Sequence, residues 1–582
     1  MENHQSVIVQ GLPVAEGVAL GRAFVYSTDV SCVLRREVPD QEVDHEISRF
    51  VEAREDVERY YEAAVEEAVR DLGQEEADIL RSHFHIVRDP YFMEEVPELI
   101  RSQNVNPEWL VSEGVHRIAK TLGDSPDSYL RERATDVEDV GRQLLHRLLQ
   151  MEGIGHIPGH EPVVVVAREL TPSDILRLKK SRVLALVTEL GTATSHAAVI
   201  AKPLNIPVVM GITGLMNSVR TDDTIFVDGS KGEIHLNPDP AAARLFQRRI
   251  REAQDHRVRI VEDTTLPALT TDGVKVSLLA NLAHPEETHA ALAAGAEGVG
   301  LFRTEFAFLA EGRLLDEDEQ YAIYEAVVRG MAGRPVVIRT LDLGGDKLVP
   351  HHERQLEANP FLGWRSIRIS LQMKESFKIQ LRSILRASAS GPTSIMYPMI
   401  STVDEVIDVK AVVDEVMRDL MREGLDYNPQ IPQGMMIEVP SAAVNIRAFL
   451  PHTDFVSIGT NDLVQYALAV DRNNPRVASY YRPCDPAVLR LIRHTAWTTR
   501  RARKHTSVCG EMAGRPRYAP LLIGLGVDEL SMAPNLIPAV KHIIRNTSLA
   551  DAAVLARDTL ACSTATEVEK LVDTFVANIP GS

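Results

Sequence analysis

Arginine residues end or follow apolar runs at three places in the second half of the chain. Arg303 follows GVGLF, Arg339 follows PVVI, and Arg365 lies within NPFLGWRSIRI. A guanidinium group binds carboxylate or phosphate through paired hydrogen bonds, so several of them on one face favour a small polyanionic substrate. Any one of these arginines could instead form a surface salt bridge, but their shared position predicts a site for a phosphorylated acid.

Two acidic residues also end or follow apolar runs. Glu438 ends the run GMMIE, and Asp462 lies just beyond FVSIG in the loop GTNDL, next to Asn461. One or two carboxylates, completed by substrate phosphate and water, are typical ligands of Mg²⁺. Each acid alone could cap a turn or a helix, and Asn461 could simply form a turn. Together with the arginines, they predict a Mg²⁺ site.

Cys509 follows another apolar run, in TSVCGEMAG, and Gly510 after it allows close approach of the backbone. Taken alone, Cys509 fits a buried small residue, because cysteine is among the most buried residue types. If the substrate is a phosphoenol, loss of the phosphoryl group leaves an enolate whose carbon needs a proton. A thiol at the strand ends could donate that proton.

A candidate phosphoryl acceptor lies in the first half of the chain. His196 follows Thr194 and Ser195 and precedes a short helical stretch, within GTATSHAAVIAKPLNIPVVMG. Backbone N–H groups at a helix start stabilise added negative charge, and imidazole is a nucleophile at neutral pH. The local pattern alone also fits a structural histidine, so the sequence around His196 leaves both interpretations open.

The elements that must position these residues form a repeated strand, loop and helix pattern after Leu266. Eight such repeats have the size and rhythm of a (β/α)8 barrel, in which the C-terminal ends of the strands build the active site. The predicted strands are Val274–Leu279, Gly298–Phe302, Pro335–Arg339, Ser394–Met399, Gly434–Glu438, Phe455–Gly459, Thr506–Cys509 and Glu529–Met532.

The first half of the chain has a different organisation. A small β-containing element opens it, and a helical block follows from about Glu42 to Met151; its acidic stretches fit either a solvated helix face or a docking face for a basic partner. An α/β unit is predicted next, with a helix at His196–Lys202. The charged segment Ala241–Glu262 is expected to join two domains as a helix. The strands predicted for the α/β unit are Pro162–Ala167, Val183–Val187, Pro207–Met210 and Thr224–Val227.

Composition limits the class of protein. The chain has 582 residues with 45% hydrophobic and 25% charged, which is ordinary for a multidomain globular protein. Its net charge of −19 disfavours binding to nucleic acid or to an anionic membrane. The four cysteines lack metal-ligand spacing and suit a reducing cytoplasm, and neither an export signal nor a membrane span is visible.

Eight motifs together closely resemble one family, Enzyme I of the bacterial phosphoenolpyruvate-dependent sugar phosphotransferase system. They occur in the family's order and cover nearly the whole chain, and RERATDVEDVGRQLL in the helical block matches more loosely. The motifs are TSHAAVIAKPLNIPVVMG, GVGLFRTEFAFL, RTLDLGGDK, NPFLGWRSIRISL, IMYPMI, GMMIEVPSA, DFVSIGTNDLVQYALAVDRNN and SVCGEMAG.

The resemblance implies a role for each candidate residue. His196 matches the phosphorylated histidine, Cys509 the proton donor, and Glu438 and Asp462 the Mg²⁺ ligands. The substrate-binding residues are then expected to be Arg303, Arg339, Lys347, Arg365, Asn461, Asp462 and Arg472. The implied reaction transfers the phosphoryl group of phosphoenolpyruvate to His196 and then to the carrier protein HPr.

The resemblance also implies a domain plan, a multidomain α/β protein with a swivelling phosphohistidine domain and a C-terminal (β/α)8 TIM-type barrel. Residues 1–32 and 145–240 would form the phosphohistidine α/β domain, interrupted by a helical HPr-binding domain at residues 33–144. Residues 241–262 would be the helical linker. Residues 263–582 would form the phosphoenolpyruvate-binding barrel, through which a homodimer is expected.

The chain departs from the family at two places near the histidine. The family usually has two glycines before it, where this chain reads Gly191, Thr192 and Ala193. An arginine is common at the position of Lys202, which keeps the charge but loses the forked geometry. Both changes are expected to tune the transfer, because neither removes the nucleophile.

Three other interpretations remain open from the residues. A pyruvate-phosphate dikinase or phosphoenolpyruvate synthase pairs a similar histidine segment with a similar barrel, but this chain shows no Gly-rich phosphate loop with a lysine. A regulatory protein could keep the fold and act by docking alone. The nitrogen-regulating branch of the family usually has an additional N-terminal sensory domain, which this chain does not show.

Overall fold

The computed structural model divides the chain into two compact units, residues 1–255 and 256–582. The division falls within the segment predicted to link two domains. The structure describes residues 7–26, 33–71, 74–124, 128–149, 162–178, 182–192, 196–201, 206–311, 313–344, 359–472, 474 and 476–579.

An eight-stranded mixed sheet forms the α/β part of the first unit, in the order β1-β8-β7-β3-β4-β5-β6-β2. Its central strands β3 to β6 run parallel, and β7, β8, β1 and β2 pair antiparallel. The strands are β1 Val7–Gln10, β2 Leu12–Ala15, β3 Val18–Tyr26, β4 Val163–Ala167, β5 Val183–Thr188, β6 Val208–Met210, β7 Thr224–Asp228 and β8 Glu233–Leu236.

Both faces of this sheet are buried, which explains why the central strands β4 and β6 are continuous runs of apolar residues, mostly valine. In β4, Val164 and Val166 face one core while Val165 and Ala167 face the other. The four strands predicted for this part are confirmed to within one residue, whereas β8 was missed because its sequence, EIHL, is short and half polar.

Helices α1 to α5 fill the predicted helical block and enclose a separate apolar core with Phe50 and Leu144 at its centre. The helix that contains the division between the units, α9, coincides with the predicted charged helix to within one residue at each end. The helices are α1 Val43–Asp71, α2 Gln74–Val87, α3 Val96–Gln103, α4 Pro107–Gly123, α5 Ser128–Leu148, α6 Pro172–Leu178, α7 His196–Ala201, α8 Leu215–Ser218 and α9 Pro240–Asp263.

The second unit is a closed barrel of eight parallel strands, as predicted. The first strand begins three residues later than expected, because Leu269 and Lys275 form an antiparallel bridge before it. The strands are β9 Ser277–Leu282, β10 Val299–Arg303, β11 Val336–Arg339, β12 Thr393–Tyr397, β13 Gln433–Ile437, β14 Phe455–Ile458, β15 Thr506–Val508 and β16 Glu529–Met532.

Side chains alternate along these strands between the barrel interior and the surrounding helices. One small cluster of apolar side chains lies inside the barrel. It consists of Leu301, Met396 and Met436, each on a different strand, and Cys509, which directly follows a fourth strand. Their neighbours along the chain, such as Phe302, belong to the large core beneath the helices. This alternation fixes which residues can point into the barrel.

Fourteen helices follow the strands of the second unit within the part of the chain that the structure describes. Capping boxes begin several of them: Thr402 and Glu405 start α15, and Gly424, at φ 71°, ends it. No helix in the described residues is long and apolar enough to cross a membrane. The helices are α10 Glu287–Ala293, α11 Glu305–Glu311, α12 Glu317–Gly330, α13 Ile367–Gln372, α14 Lys374–Ala387, α15 Val403–Glu423, α16 Pro440–Val444, α17 Ile446–Phe449, α18 Thr460–Leu468, α19 Pro486–Arg501, α20 Ala519–Gly524, α21 Ile537–Arg545, α22 Leu549–Ala561 and α23 Ala565–Ala577.

Candidate active site

The candidate residues of the barrel gather at one end of it, which we call the C-terminal rim. Arg303 and Arg339 are the last residues of β10 and β11, and Glu438 and Cys509 directly follow β13 and β15. Asp462 lies in the first turn of α18, just after β14. Because the strands are parallel, all of these positions lie at the same end of the barrel.

Arg339 is held by two buried acids. Its guanidinium lies 2.6 Å from Glu305 Oε1 and 2.8 Å from Asp342 Oδ2, and its side chain is only 8% exposed. Burial alone lowers the pKa of Arg339, but the charges of Asp342 and Glu305 outweigh this effect and raise it. The side chain is therefore a fixed positive charge in a site shielded from water.

Arg365 also reaches Asp342, from a loop, and contacts Asp462 as well. Its Nη2 lies 3.4 Å from Asp342 Oδ1 and 3.5 Å from Asp462 Oδ2, and its Nη1 donates to Tyr466 Oη at 3.1 Å. Unlike Arg303 and Arg339, Arg365 does not end a strand, because it lies between β11 and α13 and pairs with Gly344 through an isolated bridge.

The backbone around Arg365 is strained. Ser366 has φ 53° and ψ −126°, a conformation that a non-glycine residue seldom adopts and that costs of order 1–3 kcal/mol. Its hydroxyl donates to Asp342 Oδ1, which helps to hold the loop in place. The local sequence WRS gives no sign of this turn, because tertiary contacts impose it.

Glu438 is the most deeply buried acid proposed as a metal ligand, at 2% exposure. Its Oε1 accepts a hydrogen bond from the backbone N–H of Met399 at 2.5 Å. Burial, followed by the nearby carboxylates of Asp462 and Asp342, raises the pKa of Glu438, although Arg339 and Arg365 oppose the rise. These acids are close enough to destabilise one another's charge.

Acids outnumber arginines in this group, which we call the rim cluster. Burying unpaired negative charge is costly, so the excess favours binding of a cation. The rim cluster consists of Glu305, Arg339, Asp342, Arg365, Glu438 and Asp462.

The donor set suits Mg²⁺. This ion commonly binds through one or two carboxylates and takes its other ligands from substrate phosphate and water. Glu438 and Asp462 supply two neighbouring carboxylates. The residues present therefore fit a Mg²⁺ ion that binds together with a phosphorylated substrate.

Asn461 joins two loops of the rim. Its Oδ1 accepts from the backbone N–H of Glu511 at 2.9 Å, and its Nδ2 donates to Glu511 Oε1 at 3.2 Å. Arg472 is half-buried beyond the end of α18, and its backbone N–H donates to Gln465 Oε1 at 3.3 Å. The loops after β14 and β15 are thus fixed relative to each other.

The Cys509 thiol is buried inside the barrel, with the side chain 3% exposed and Sγ 3.8 Å from the carbonyl oxygen of Ile458. Burial raises the pKa of this thiol, although the nearby Ser457 side chain and the positive charges of Arg339 and Arg303 oppose the rise. The sulfur therefore keeps its proton at neutral pH, as a proton donor must.

The candidate phosphoryl acceptor belongs to the first unit. His196 is the first residue of α7, which places it at a helix start as predicted, but its side chain lies outside the described residues. A cavity of about 230 Å³ adjoins this position, with Thr171, Thr192, Ala197 and Arg142 in its lining. The candidates Ala193, Lys202 and Lys347 also lie outside the described residues.

Sequence reasoning missed two residues of the rim cluster, Glu305 and Asp342. Each stands two or three positions after an arginine that ends a strand, in GVGLFRTE and VVIRTLD. Because helix α11 begins at Glu305, its carboxylate turns back toward the rim. The spacing of an acid shortly after a strand-end arginine was the available signal.

Comparison with known proteins covers almost the whole chain. Family descriptions match "PEP-utilising enzyme, N-terminal" at residues 10–133, "PEP-utilising enzyme, mobile domain" at 159–232 and "PEP-utilising enzyme, PEP-binding domain" at 257–549.

Curated relatives align from end to end. The phosphoenolpyruvate-protein phosphotransferase of Haemophilus influenzae is 37% identical over 571 residues, 98% of this chain and 99% of the relative. Those of Bacillus sp. strain S and Geobacillus stearothermophilus are each 39% identical over 567 residues, 97% of both chains.

Proposed function

Because the chain belongs to the phosphoenolpyruvate-protein phosphotransferase family, we propose that it transfers the phosphoryl group of phosphoenolpyruvate to its own His196 and then to a histidine of an HPr-type carrier. Pyruvate is the other product. The reaction is the first step of sugar uptake by the phosphotransferase system. The observation that carries the proposal is the rim cluster, whose fixed arginines and buried acids suit a phosphorylated acid with Mg²⁺.

In this proposal the arginines orient the substrate. Arg339 and Arg365 are locked by buried acids before the substrate arrives, so little reorganisation is needed when charge develops in the transition state. Phosphoryl transfer depends mainly on positioning and charge stabilisation. The substrate-binding residues proposed are Arg303, Arg339, Lys347, Arg365, Asn461, Asp462 and Arg472.

Glu438 and Asp462 would hold Mg²⁺, which when bound neutralises the charge of the substrate phosphate. Cys509 then protonates the enolate that remains after the phosphoryl group has left. Its buried, protonated thiol supports this role, because the proton is retained until the carbon becomes basic.

The remaining roles follow from family membership. Residues 33–144 would dock the carrier, residues 1–32 and 145–240 would carry the phosphohistidine, and 241–262 would link them to the barrel at 263–582. The histidine domain would swivel between donor and carrier, and two chains would dimerise through their barrels. We propose a cytoplasmic location, since phosphoenolpyruvate and the carrier must both be accessible.

Mass spectrometry of the protein incubated with phosphoenolpyruvate and Mg²⁺ tests the proposal. A single acid-labile phosphoryl group is expected on wild type and on His116→Ala, which removes an exposed histidine of α4, but not on His196→Ala. Addition of HPr should then discharge the wild type. Label that persists on His196→Ala, or no label on wild type as a purely docking protein predicts, would contradict it.

A further inference from the structure

Helix α19 and the strand after it form a strongly basic segment in an acidic protein. Between Pro486 and Gly510 the sequence contains six arginine or lysine residues, two histidines and neither aspartate nor glutamate, whereas the whole chain has a net charge of −19. Such a local reversal of charge attracts anions to this part of the surface.

The basic residues of α19 share one face with an exposed tryptophan. Leu489, Ile492 and Ala496 are buried against the barrel. Helical spacing therefore places the outward residues in a stripe about 16 Å long, from the rise of an α-helix over eleven residues. This stripe consists of Arg490, Arg493, His494, Trp497 and Arg501.

Acids do not neutralise this stripe. Within residues 486–510, all of which the structure describes, Arg500 alone forms an ion pair, at 2.8 Å from Asp528. Arg490 and Arg493 donate to the carbonyl oxygens of Leu560 and Leu525, at 3.3 Å and 3.0 Å. A carbonyl fixes a guanidinium in place without a full opposing charge, so the remaining N–H groups can bind an anion.

A cavity of about 330 Å³ lies at the N-terminal part of the stripe, lined by Arg490, Arg493, His494, Trp497 and Leu560. Its lining combines three basic side chains with one aromatic and one aliphatic side chain. Trp497 is 47% exposed, which is unusual for so large an apolar side chain, and the guanidinium of Arg501 lies 4.6 Å from the centre of its ring.

Capping of neighbouring helices explains only part of this arrangement. Leu525 and Leu560 lie at the ends of α20 and α22, where arginine side chains commonly bond the last carbonyls. That role accounts for the positions of Arg490 and Arg493. Capping does not explain why the exposed indole of Trp497 lies between these two arginines and Arg501, which forms no ion pair with any residue that the structure describes.

We propose that this cavity binds a nucleoside phosphate. The ring of the base would stack on Trp497 and contact Leu560, and the phosphate groups would bind Arg490, Arg493 and His494. A ligand with a flat apolar part and an anionic part would contact both the apolar and the basic side chains of the lining. Inorganic phosphate would leave the indole exposed.

The cavity is separate from the rim cluster. Lys504, just after α19, donates to the carbonyl oxygen of Leu450 at 2.7 Å, and Arg500 pairs with Asp528, which immediately precedes β16. These contacts place the C-terminal end of α19 beside the amino ends of the strands. Arg493, which lines the cavity, donates to the carbonyl oxygen of Leu525, four residues before β16, so the cavity also lies toward the amino ends of the strands and away from the rim. Variants in the stripe should therefore leave phosphorylation of the protein unchanged.

Isothermal titration of the whole protein with ADP, GDP and UDP, without Mg²⁺, tests this proposal. Saturable binding of at least one is expected, weakened about tenfold or more in Trp497→Leu and in the double variant Arg490→Gln with Arg493→Gln. Arg334→Gln, which removes one positive charge at an exposed loop arginine, should bind as wild type does.

Three outcomes would overturn the nucleotide site. One is that none of the three nucleotides binds saturably. Another is that the stripe variants bind as wild type does while remaining folded by circular dichroism. The third is that inorganic tripolyphosphate binds as tightly as the nucleotide and Trp497→Leu has no effect, which would mean that the stripe attracts anions without recognising a base.

Discussion

At the scale of single residues, charge in the barrel is arranged before any substrate binds. Arg339 and Arg365 each contact two acids, and both share Asp342. Holding buried charges in this way costs desolvation, so such a network is weak evidence for stability. We propose that this network orients hydrogen-bond donors toward the place where negative charge develops in the reaction.

The planar guanidinium geometry of Arg339 is expected to matter more for activity than its positive charge. Arg339→Lys keeps a positive charge but cannot reach both Glu305 and Asp342 with the same geometry, so kcat/KM for phosphoenolpyruvate should fall about 10²–10³-fold. Steady-state kinetics of pyruvate release measures this effect.

Arg382→Lys is the matched control for that change. Arg382 also contacts two acids, Glu317 at 2.6 Å and Glu423 at 2.5 Å, but on the helices outside the barrel. The control should keep its activity. Equal activity in both variants, or a loss of activity in Arg339→Lys that only follows unfolding, would contradict a catalytic role for the guanidinium geometry of Arg339.

Cys509 is expected to supply a proton. Cys509→Ala should slow pyruvate formation about 10²–10⁴-fold, the range typical of a general acid, while the protein still folds. Cys484→Ala removes another buried thiol of the same unit, whose pKa burial raises to about 11, and should have little effect on rate. If the two variants behave alike, the thiol of Cys509 is only a packing group.

At the scale of elements, the loops after neighbouring strands approach one another too closely for side chains. A Cβ on Gly510 would lie 1.9 Å from Thr460 Oγ1, and a Cβ on Gly459 would lie 2.9 Å from Glu438 Oε2. These glycines let the loops after β13, β14 and β15 pack together. The position of Asp462 therefore depends on residues that carry no chemistry themselves.

Gly510→Ala should displace the loop that carries Asn461 and Asp462. The backbone nitrogen of Thr460 would be 2.6 Å from the new Cβ, so the loop rather than a flexible side chain has to move. We expect weaker binding of Mg²⁺ and phosphoenolpyruvate, measured by titration, with a smaller effect on thermal stability.

Gly123→Ala provides the control for this substitution. Gly123 lies in α4, and a Cβ there would meet no atom within 4 Å. It should be neutral or slightly stabilising, since alanine favours helix more than glycine. Unchanged ligand binding in Gly510→Ala would show that the loop positions do not depend on this contact.

At the scale of the whole molecule, each unit holds one end of α9. Phe246 stacks on Phe226 of the first unit with ring centroids 3.8 Å apart. Asp263, the last residue of the helix, accepts from Arg545 Nε of the second unit and lies near His542 Nδ1, each at 2.7 Å. Each unit also encloses its own apolar core, so each should fold alone.

The two units are expected to divide the reaction between them. A fragment of residues 1–255 should accept the phosphoryl group from phosphorylated HPr but not from phosphoenolpyruvate. A fragment of residues 256–582 should bind phosphoenolpyruvate without becoming labelled. Circular dichroism and mass spectrometry of the fragments measure both properties, and direct labelling of the first fragment by phosphoenolpyruvate would contradict this division.

The sequence by itself determined the architecture. Short apolar runs, each followed by a loop and a helix, predicted the eight barrel strands, because a strand buried on both faces is mostly apolar. The positions of Arg303, Arg339, Glu438 and Cys509 at the rim followed, because parallel strands place their carboxyl ends together.

Tertiary structure alone decided which side chains touch. The strained turn at Ser366 brings Arg365 to the rim from a loop, and Glu305 and Asp342 become the partners of Arg339. The basic stripe of α19 acquires its cavity only where Leu560 of α22 packs beside it. Strand periodicity is a local property that the chain encodes directly, whereas these contacts join residues that are distant in sequence and depend on the completed fold.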